Sequence, residues 1–238
     1  MPKTKPLIGF DRFVRWDWVE YAFELAYQNQ PLSRLKEYIY AEISGRDSAR
    51  KTYNMLTNLW FENYPNTKDF RERAFALFPD LSDREHLVLH WGMALVNFPF
   101  FYQTVTTIGR LIRLQGEFQT QEIRTRVNEL YSNQNSVPRA VSRVIQTLTE
   151  WDVFSAESTK NCLQPVQEIT LSSTQAINWL FETAMLETPD RQWRVIDLLR
   201  TPTLFPFYLE VEGMKAIRNH NNFAFSKDTY GDEIVWIK

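Results

Sequence analysis

Apolar residues recur every three to four positions along the first 150 residues, a spacing typical of amphipathic helices. Pro99 interrupts this pattern, so one helix is expected to end near Asn97 and the next to continue to about Leu114. Glu85 follows Ser82 by three residues, which is the spacing of a capping box and predicts a helix start at Ser82. The helices predicted for this region cover 11–28, 32–43, 47–61, 69–77, 82–97, 99–114, 120–131 and 137–151.

The last third of the chain has a different pattern, with short apolar runs between turn residues. Ser173 is a predicted N-cap, and Pro189 is placed to open a further helix. A polar loop at 157–161 separates two short runs that favour β-strands. The helices predicted here cover 173–186 and 189–199, and the strands cover 153–156, 166–171, 223–225 and 233–237.

These elements predict a mainly α fold: a helical bundle with helix-turn-helix or winged-helix-like units and a small C-terminal α+β extension. Changes of pattern at Gly116 and after residue 172 divide the chain into three predicted domains. They are an N-terminal helical bundle at 1–116, a winged-helix-like unit at 117–172 and the C-terminal extension at 173–238.

Composition excludes several classes of protein. The 27 basic and 29 acidic residues exclude a strongly basic field over the whole molecule. A single cysteine excludes an intrachain disulfide framework and a cysteine-based zinc cluster. No apolar segment follows the N-terminus, so we expect no secretion signal, no membrane partner and a cytoplasmic location.

The segment 137–151 separates apolar from polar positions most sharply. Its apolar side chains fill one continuous arc at 100° per residue, and Arg139, Ser142, Arg143 and Gln146 lie opposite. Arginine pairs with guanine, glutamine pairs with adenine, and serine reaches bases or phosphates, so this arc resembles the reading face of a DNA recognition helix. A polar face that is merely solvated would show the same pattern.

The elements around this segment follow the order of a winged helix. Arg124 and Arg126 on the preceding helix suit contacts with phosphates. Two strands follow, and Lys160 in the loop between them would lie on the wing. Between Arg110 and Arg143, six arginines and three glutamates give a local net charge of +3. A salt-bridged helical surface would have the same composition.

The segment 47–61 divides its residues in a similar way. We expect Arg46, Arg50, Lys51 and Asn54 near its outward side, and these residue types contact nucleic acid. A solvated surface explains them equally well. This helix and the one at 137–151 both follow a helix and a short turn, and both end in related residues, Leu-Thr-Asn-Leu-Trp and Leu-Thr-Glu-Trp. The echo indicates either a duplicated unit or a chance similarity.

Motifs for catalysis and metal binding are missing from the sequence. There is no G-x-S-x-G elbow and no G-x-x-x-x-G-K-[ST] loop, and Cys162 has no histidine nearby in sequence. His86 and His90 share a helix face, but apolar residues separate them and no third ligand is indicated. We therefore expect core or interface histidines there, a surface role for His220, and neither an enzyme nor a metal, cofactor or small-molecule site.

Three segments resemble the small helical DNA-binding component of BREX-type bacterial phage-defence systems. They are the turn at 44–48 that enters a helix ending in Leu-Trp, the apolar centre at 95–101, and the unit at 136–154. The resemblance spans roughly residues 10 to 172. It implies a non-enzymatic protein that binds double-stranded DNA within a defence complex, with a fold comparable to helical antitermination factors.

These observations favour a function in binding duplex DNA without catalysis, with double-stranded DNA and other defence-system proteins as the expected partners. The alternative is a helical protein-interaction scaffold, which the surplus of aromatic residues suggests. Phe98, Phe100, Phe101 and Tyr102 would then form an exposed contact patch. A contiguous arginine face on the surface would favour DNA, and an exposed aromatic face would favour a protein partner.

Overall fold

A computed structural model describes residues 8–62, 67–157, 162–186, 188, 191–218 and 220–238 of the chain. The protein is mainly helical with a small sheet region, which confirms this part of the predicted fold class. No helix within the described ranges has both the length and the apolar character that a membrane crossing requires. The helices are α1 (Trp16–Tyr27), α2 (Leu32–Glu42), α3 (Arg46–Trp60), α4 (Lys68–Leu77), α5 (Leu87–Asn97), α6 (Pro99–Gln115), α7 (Thr120–Leu130), α8 (Val137–Glu150), α9 (Thr174–Met185), α10 (Val195–Leu199) and α11 (Glu210–Arg218).

The strands form small sheets beside the helices. They are β1 (Phe154–Glu157), β2 (Cys162–Pro165), β3 (Ile169–Thr170), β4 (Trp193–Arg194), β5 (Phe207–Tyr208), β6 (Phe223–Lys227) and β7 (Glu233–Ile237). β1 and β2 form an antiparallel hairpin, and β3 pairs in parallel with β5. β7 lies between β4 and β6 in an antiparallel sheet.

Two helices in the first 150 residues begin later than the sequence predicts. The helix predicted from residue 11 begins at Trp16, because the chain before it is hydrogen-bonded to α8. There the Val14 amide donates to the Thr147 hydroxyl at 3.0 Å, and the Trp151 indole donates to the Val14 carbonyl at 3.1 Å. The helix predicted from Ser82 begins at Leu87, and the residues before it form turns.

The C-terminal third also departs from its prediction. The strand predicted at 166–171 is wrong as the partner of β1, because Cys162–Pro165 supply that partner and only Ile169–Thr170 is a strand within the predicted range. The helix predicted at 189–199 begins at Val195, since Trp193–Arg194 pairs with β7 instead. Residues 189 and 190 lie outside the described residues. The pattern gave no indication of α11.

One continuous hydrophobic core joins these elements, and it contains residues from all three predicted domains. Two glycines permit its closest contacts. A Cβ on Gly92 would meet the Trp179 ring at 2.2 Å, and a Cβ on Gly109 would meet the Pro202 carbonyl oxygen at 2.1 Å. The C-terminal segment therefore packs directly on α5 and α6, and the predicted domain boundaries at residues 116 and 172 do not divide the core.

Candidate nucleic-acid interface

Local sequence fixes how α7 and α8 are placed. Gly116 ends α6 with a φ of 79°, a left-handed conformation that glycine adopts without strain. Phe118 then exchanges two backbone hydrogen bonds with Leu163 of β2, at 3.0 and 2.8 Å. After α7 the chain turns through Ser132 and Asn133, and α8 starts with a proline in its first turn.

α8 presents its polar residues along one side of the helix. Arg139 and Gln146 are exposed, while Ser142 and Arg143 are half-buried. The predicted apolar arc is confirmed, because all its members are buried: Val137, Ala140, Val141, Val144, Ile145, Leu148 and Trp151.

Arg124 reaches from α7 onto this polar side of α8. Its Nε donates to the Ser142 hydroxyl at 2.8 Å, and that hydroxyl donates to the Pro138 carbonyl at 2.7 Å. The contact brings three guanidinium groups around one shallow cleft of about 280 Å³, which we call the α7–α8 notch. Its lining residues are Arg124, Pro138, Arg139, Ser142, Arg143 and Gln146.

The arginines of the notch lie apart from the acidic side chains that the structure describes. Among the described residues, no carboxylate oxygen lies within 4.0 Å of Arg124, Arg139 or Arg143. Arg143 instead donates to the Gln146 side-chain oxygen at 2.7 Å. Arg126 differs, because it forms a 2.9 Å ion pair with Glu122 one turn earlier on α7. The notch is therefore a cluster of uncompensated positive charge, and Arg126 is a neutralised neighbour.

The β1–β2 hairpin follows α8 directly. Phe118 in front of α7 extends it with an isolated bridge to Leu163, so three chain segments lie side by side. Lys160, the predicted wing residue, lies outside the described residues, so its place relative to the notch is not defined.

The second predicted surface, on α3, has a different electrostatic character. Arg46 and Asn54 are exposed as expected. Asp47, in the first turn of α3, binds both Arg50 at 2.6 Å and Lys51 at 2.8 Å. Hydrogen bonds from Lys51 and Arg50 lower the pKa of Asp47 to about 2, so it is ionised at neutral pH. Two of the four predicted contact residues on α3 thus share one carboxylate, which offsets one of their two positive charges.

The aromatic residues that suggested a protein scaffold are in the core. Phe98, Phe100, Phe101 and Tyr102 are 2%, 0%, 0% and 8% exposed. They pack against other rings, as Phe101 does against Phe10 with centroids 5.0 Å apart. The scaffold alternative would place an exposed patch at 98–102, and these four side chains do not form one.

His90 in α5 and His86 just before it both lie beside Glu20, in a cluster that the sequence indicated only in part. His90 is 1% exposed, and its Nε2 lies 2.7 Å from the Glu20 carboxylate. Burial acts to raise the pKa of Glu20, but the hydrogen bond and Coulomb attraction from His90, together with the attraction of His86, outweigh it and the pKa is lowered. The ring of His90 also contacts four aromatic rings, those of Trp16, Phe23, Trp60 and Trp151.

His220 is not a simple surface residue, contrary to expectation. It is half-buried against Glu182, whose carboxylate also accepts two hydrogen bonds from Arg73 at 2.8 and 2.9 Å. Burial acts to raise the pKa of Glu182, and the bonds from His220 and Arg73 reverse this, so the pKa is lowered. The sequence gave no signal for this cluster, because Arg73 and His220 are 109 and 38 residues from Glu182.

In the described part of the chain, no three His, Cys, Asp or Glu side chains come together as metal ligands would. Comparisons of the chain with protein-family models, with curated proteins and with solved structures found no match.

Proposed function

We propose that this protein binds double-stranded DNA through the α7–α8 notch and does so without catalysis. The observation that carries the proposal is the convergence of Arg124, Arg139 and Arg143 on one cleft, with no carboxylate of the described residues within 4.0 Å of them. Guanidinium groups match the geometry of phosphate oxygens, and like charges held this close favour a polyanion. Duplex DNA supplies a regular array of phosphates and is the polyanion that a helix face of this kind fits.

The order of elements supports the same proposal. α6, the Phe118 bridge, α7, α8 and the β1–β2 hairpin follow one another as the elements of a winged helix do. In a helix-turn-helix arrangement the second helix of the pair lies against the duplex, and α8 would take this position.

We further propose that this DNA binding operates in a cytoplasmic bacterial phage-defence complex with other defence proteins. This part rests on the resemblance at 44–48, 95–101 and 136–154. Reconstitution with the products of neighbouring genes, followed by co-purification with and without duplex DNA, tests it. Failure to co-purify in both conditions would remove the complex from the proposal and leave DNA binding in place.

The central experiment is binding of a fluorescent duplex at several salt concentrations. We expect log K to fall with log salt by about 0.9 for each phosphate neutralised. Arg143→Glu should weaken binding about 100-fold, since it removes a contact and adds repulsion. Arg50→Glu is the matched control, because it makes the same change of charge on the compensated surface of α3.

Arg50→Glu should change the affinity by less than about 3-fold, as expected for a cation that already has a carboxylate partner. Circular dichroism verifies that both variants stay folded. Equal losses in the two variants would show that overall charge, and not the notch, controls binding. No binding of the wild type at low salt would end the proposal.

A further inference from the structure

Two of the side chains expected to read bases are already hydrogen-bonded inside the protein. The Ser142 hydroxyl accepts from Arg124 and donates to the Pro138 carbonyl, so its proton and one lone pair are used. The Gln146 side-chain oxygen accepts from Arg143 at 2.7 Å. A glutamine that reads adenine needs its oxygen and its amide group together, and here one of the two lone pairs of that oxygen already accepts from Arg143.

The guanidinium groups, in contrast, keep most of their donors. Arg124 uses Nε on Ser142 and makes a long 3.5 Å contact from one terminal nitrogen to Gln121. Arg143 uses one terminal nitrogen on Gln146, and Arg139 has no hydrogen-bond partner among the described residues. Each guanidinium has five N–H donors, so the notch offers many donors and few acceptors.

We propose, resting on the DNA binding proposed above, that the notch holds one backbone phosphate and that Ser142 is the positioning residue that aims Arg124 at it. A phosphate has only acceptor oxygens and a negative charge, which complements a donor-rich and uncompensated cluster. A guanine edge also offers two acceptors, but it carries no net charge, so it would leave the three guanidinium charges uncompensated. Binding is therefore tolerant of sequence, and α8 serves chiefly to grip the backbone.

The slope of log K against log salt measures how many phosphates the protein neutralises. Three arginines on one phosphate predict that the triple variant Arg124→Ala, Arg139→Ala, Arg143→Ala reduces the slope of log K against log salt by about 0.9 in total. Three arginines on separate phosphates would reduce it by about 2.7, and arginines that read bases would leave it unchanged. Either of the last two results would overturn the single-phosphate site.

The role of Ser142 is tested with two variants and two duplexes, one rich in A·T and one rich in G·C. Ser142→Ala should weaken binding to both duplexes alike by about 3- to 10-fold, the effect of one hydrogen bond to a charged group. Ser142→Thr keeps the hydroxyl and should stay within about 2-fold of the wild type. A loss on one duplex only would show that Ser142 reads bases, and no loss would show that it positions nothing.

A probe without bases separates this inference from the proposed function. Inorganic pyrophosphate, compared with chloride at equal ionic strength, should raise the melting temperature of the wild type and not that of the triple variant. A shift that persists in the triple variant would overturn the notch as the phosphate site. A wild type that responds to pyrophosphate but binds no duplex would retain the notch and remove the DNA function.

Discussion

The α2–α3 and α7–α8 helix pairs share a sequence echo but differ in whether their basic side chains have a carboxylate partner. Each pair ends in a buried tryptophan, Trp60 in one and Trp151 in the other. The two indole rings lie 5.4 and 6.0 Å from the same His90 ring, so both pairs meet at one point of the core. The two pairs are alike in the tryptophans that they bury, and they differ in the charges on their solvent-facing sides.

A single carboxylate accounts for that difference. Asp47 lies one turn before Arg50 and Lys51 and binds both, whereas α8 has no acidic residue in its first turn. A basic helix face is thus not the same as a free positive charge. A carboxylate beside such a face lowers its attraction for an anion, and the apolar arc on the buried side of the helix does not determine whether that carboxylate is present.

Substitution of the two buried tryptophans should give the largest change in stability. Trp60→Ala and Trp151→Ala should each lower the free energy of unfolding by about 3–5 kcal/mol, because each empties a large volume beside His90. Urea denaturation followed by circular dichroism measures both losses. A transition that remains single in both variants, with similar losses, fits two helix pairs that share one core.

A clearly smaller loss for one tryptophan would contradict this equivalence. Trp236→Ala is a suitable control, since Trp236 lies half-buried on β7 in a different part of the protein. Its loss should be smaller than that of the two tryptophans beside His90, in line with its partial burial.

The two helix pairs also differ in the side chain that hydrogen-bonds the adjacent backbone. One of these side chains titrates in the acid range and the other does not, so a change of pH distinguishes them. The carbonyls of Trp60 and Phe61, at the end of α3, accept from Arg71 at 3.3 and 2.9 Å. Ser172, beyond the β1–β2 hairpin, instead binds Glu85: its amide and hydroxyl donate to the carboxylate at 2.6 and 2.8 Å. Arginine stays charged over the accessible pH range, but a carboxylate does not.

The pKa of Glu85 fixes the pH range of its effect. Burial acts to raise this pKa, but hydrogen bonds from the backbone and side chains of Ser172 and Ser82 lower it from 4.5 to about 2. A carboxyl group with a lowered folded pKa contributes its full stability above its unfolded pKa and loses it as the pH falls through that range. The stabilisation by Glu85 is therefore complete above about pH 5 and declines from pH 4.5 towards pH 2.

Glu85→Gln tests this anchor. The variant should be less stable than the wild type by about 1–3 kcal/mol near pH 7, because donors lose an acceptor that was charged. The difference in melting temperature should shrink as the pH falls from 5 to 3. Arg71→Gln is the control, and its deficit should stay constant over the same range. A Glu85→Gln deficit that does not depend on pH would contradict an ionised anchor.

The sequence was sufficient to predict the helices of both pairs but not their long-range partners. α7 and α8 begin where the periodicity places them, because a strong apolar arc determines which side is buried. The contacts from Arg124 to Ser142 and from His90 to Glu20 span 18 and 70 residues, and only tertiary packing brings such pairs together. The strand predicted at 166–171 misses β2 for a related reason, because the position of β2 depends on its pairing with β1 and Phe118.

One part of the electrostatic difference was nevertheless present in the sequence. Asp47 precedes Arg50 by three residues and Lys51 by four, which is the spacing of ion pairs on a helix surface. The same spacing links Glu122 to Arg126 on α7. Neither Arg139 nor Arg143 has an acidic residue three or four positions away on α8, so the contrast between the two helices follows from local spacing alone.

The smallest expected effect comes from making α3 resemble α8. Asp47→Asn removes the carboxylate that compensates Arg50 and Lys51 and leaves both cations without an ionised partner in the first turns of α3. If compensation by Asp47 is what keeps this face from binding an anion, duplex affinity at low salt should rise by about 2- to 3-fold. The gain should disappear at about 0.5 M salt, where exposed charges are strongly screened.

Glu122→Gln is the matched variant, since it frees Arg126 on α7, and its gain should be at least as large. Fluorescence anisotropy of the same duplex at three salt concentrations measures both. Suppose that Asp47→Asn leaves the affinity unchanged while Glu122→Gln raises it. That result would show that α3 stays away from the DNA because of its position in the fold and not because of its charge. The two helix pairs would then differ in their position relative to the duplex.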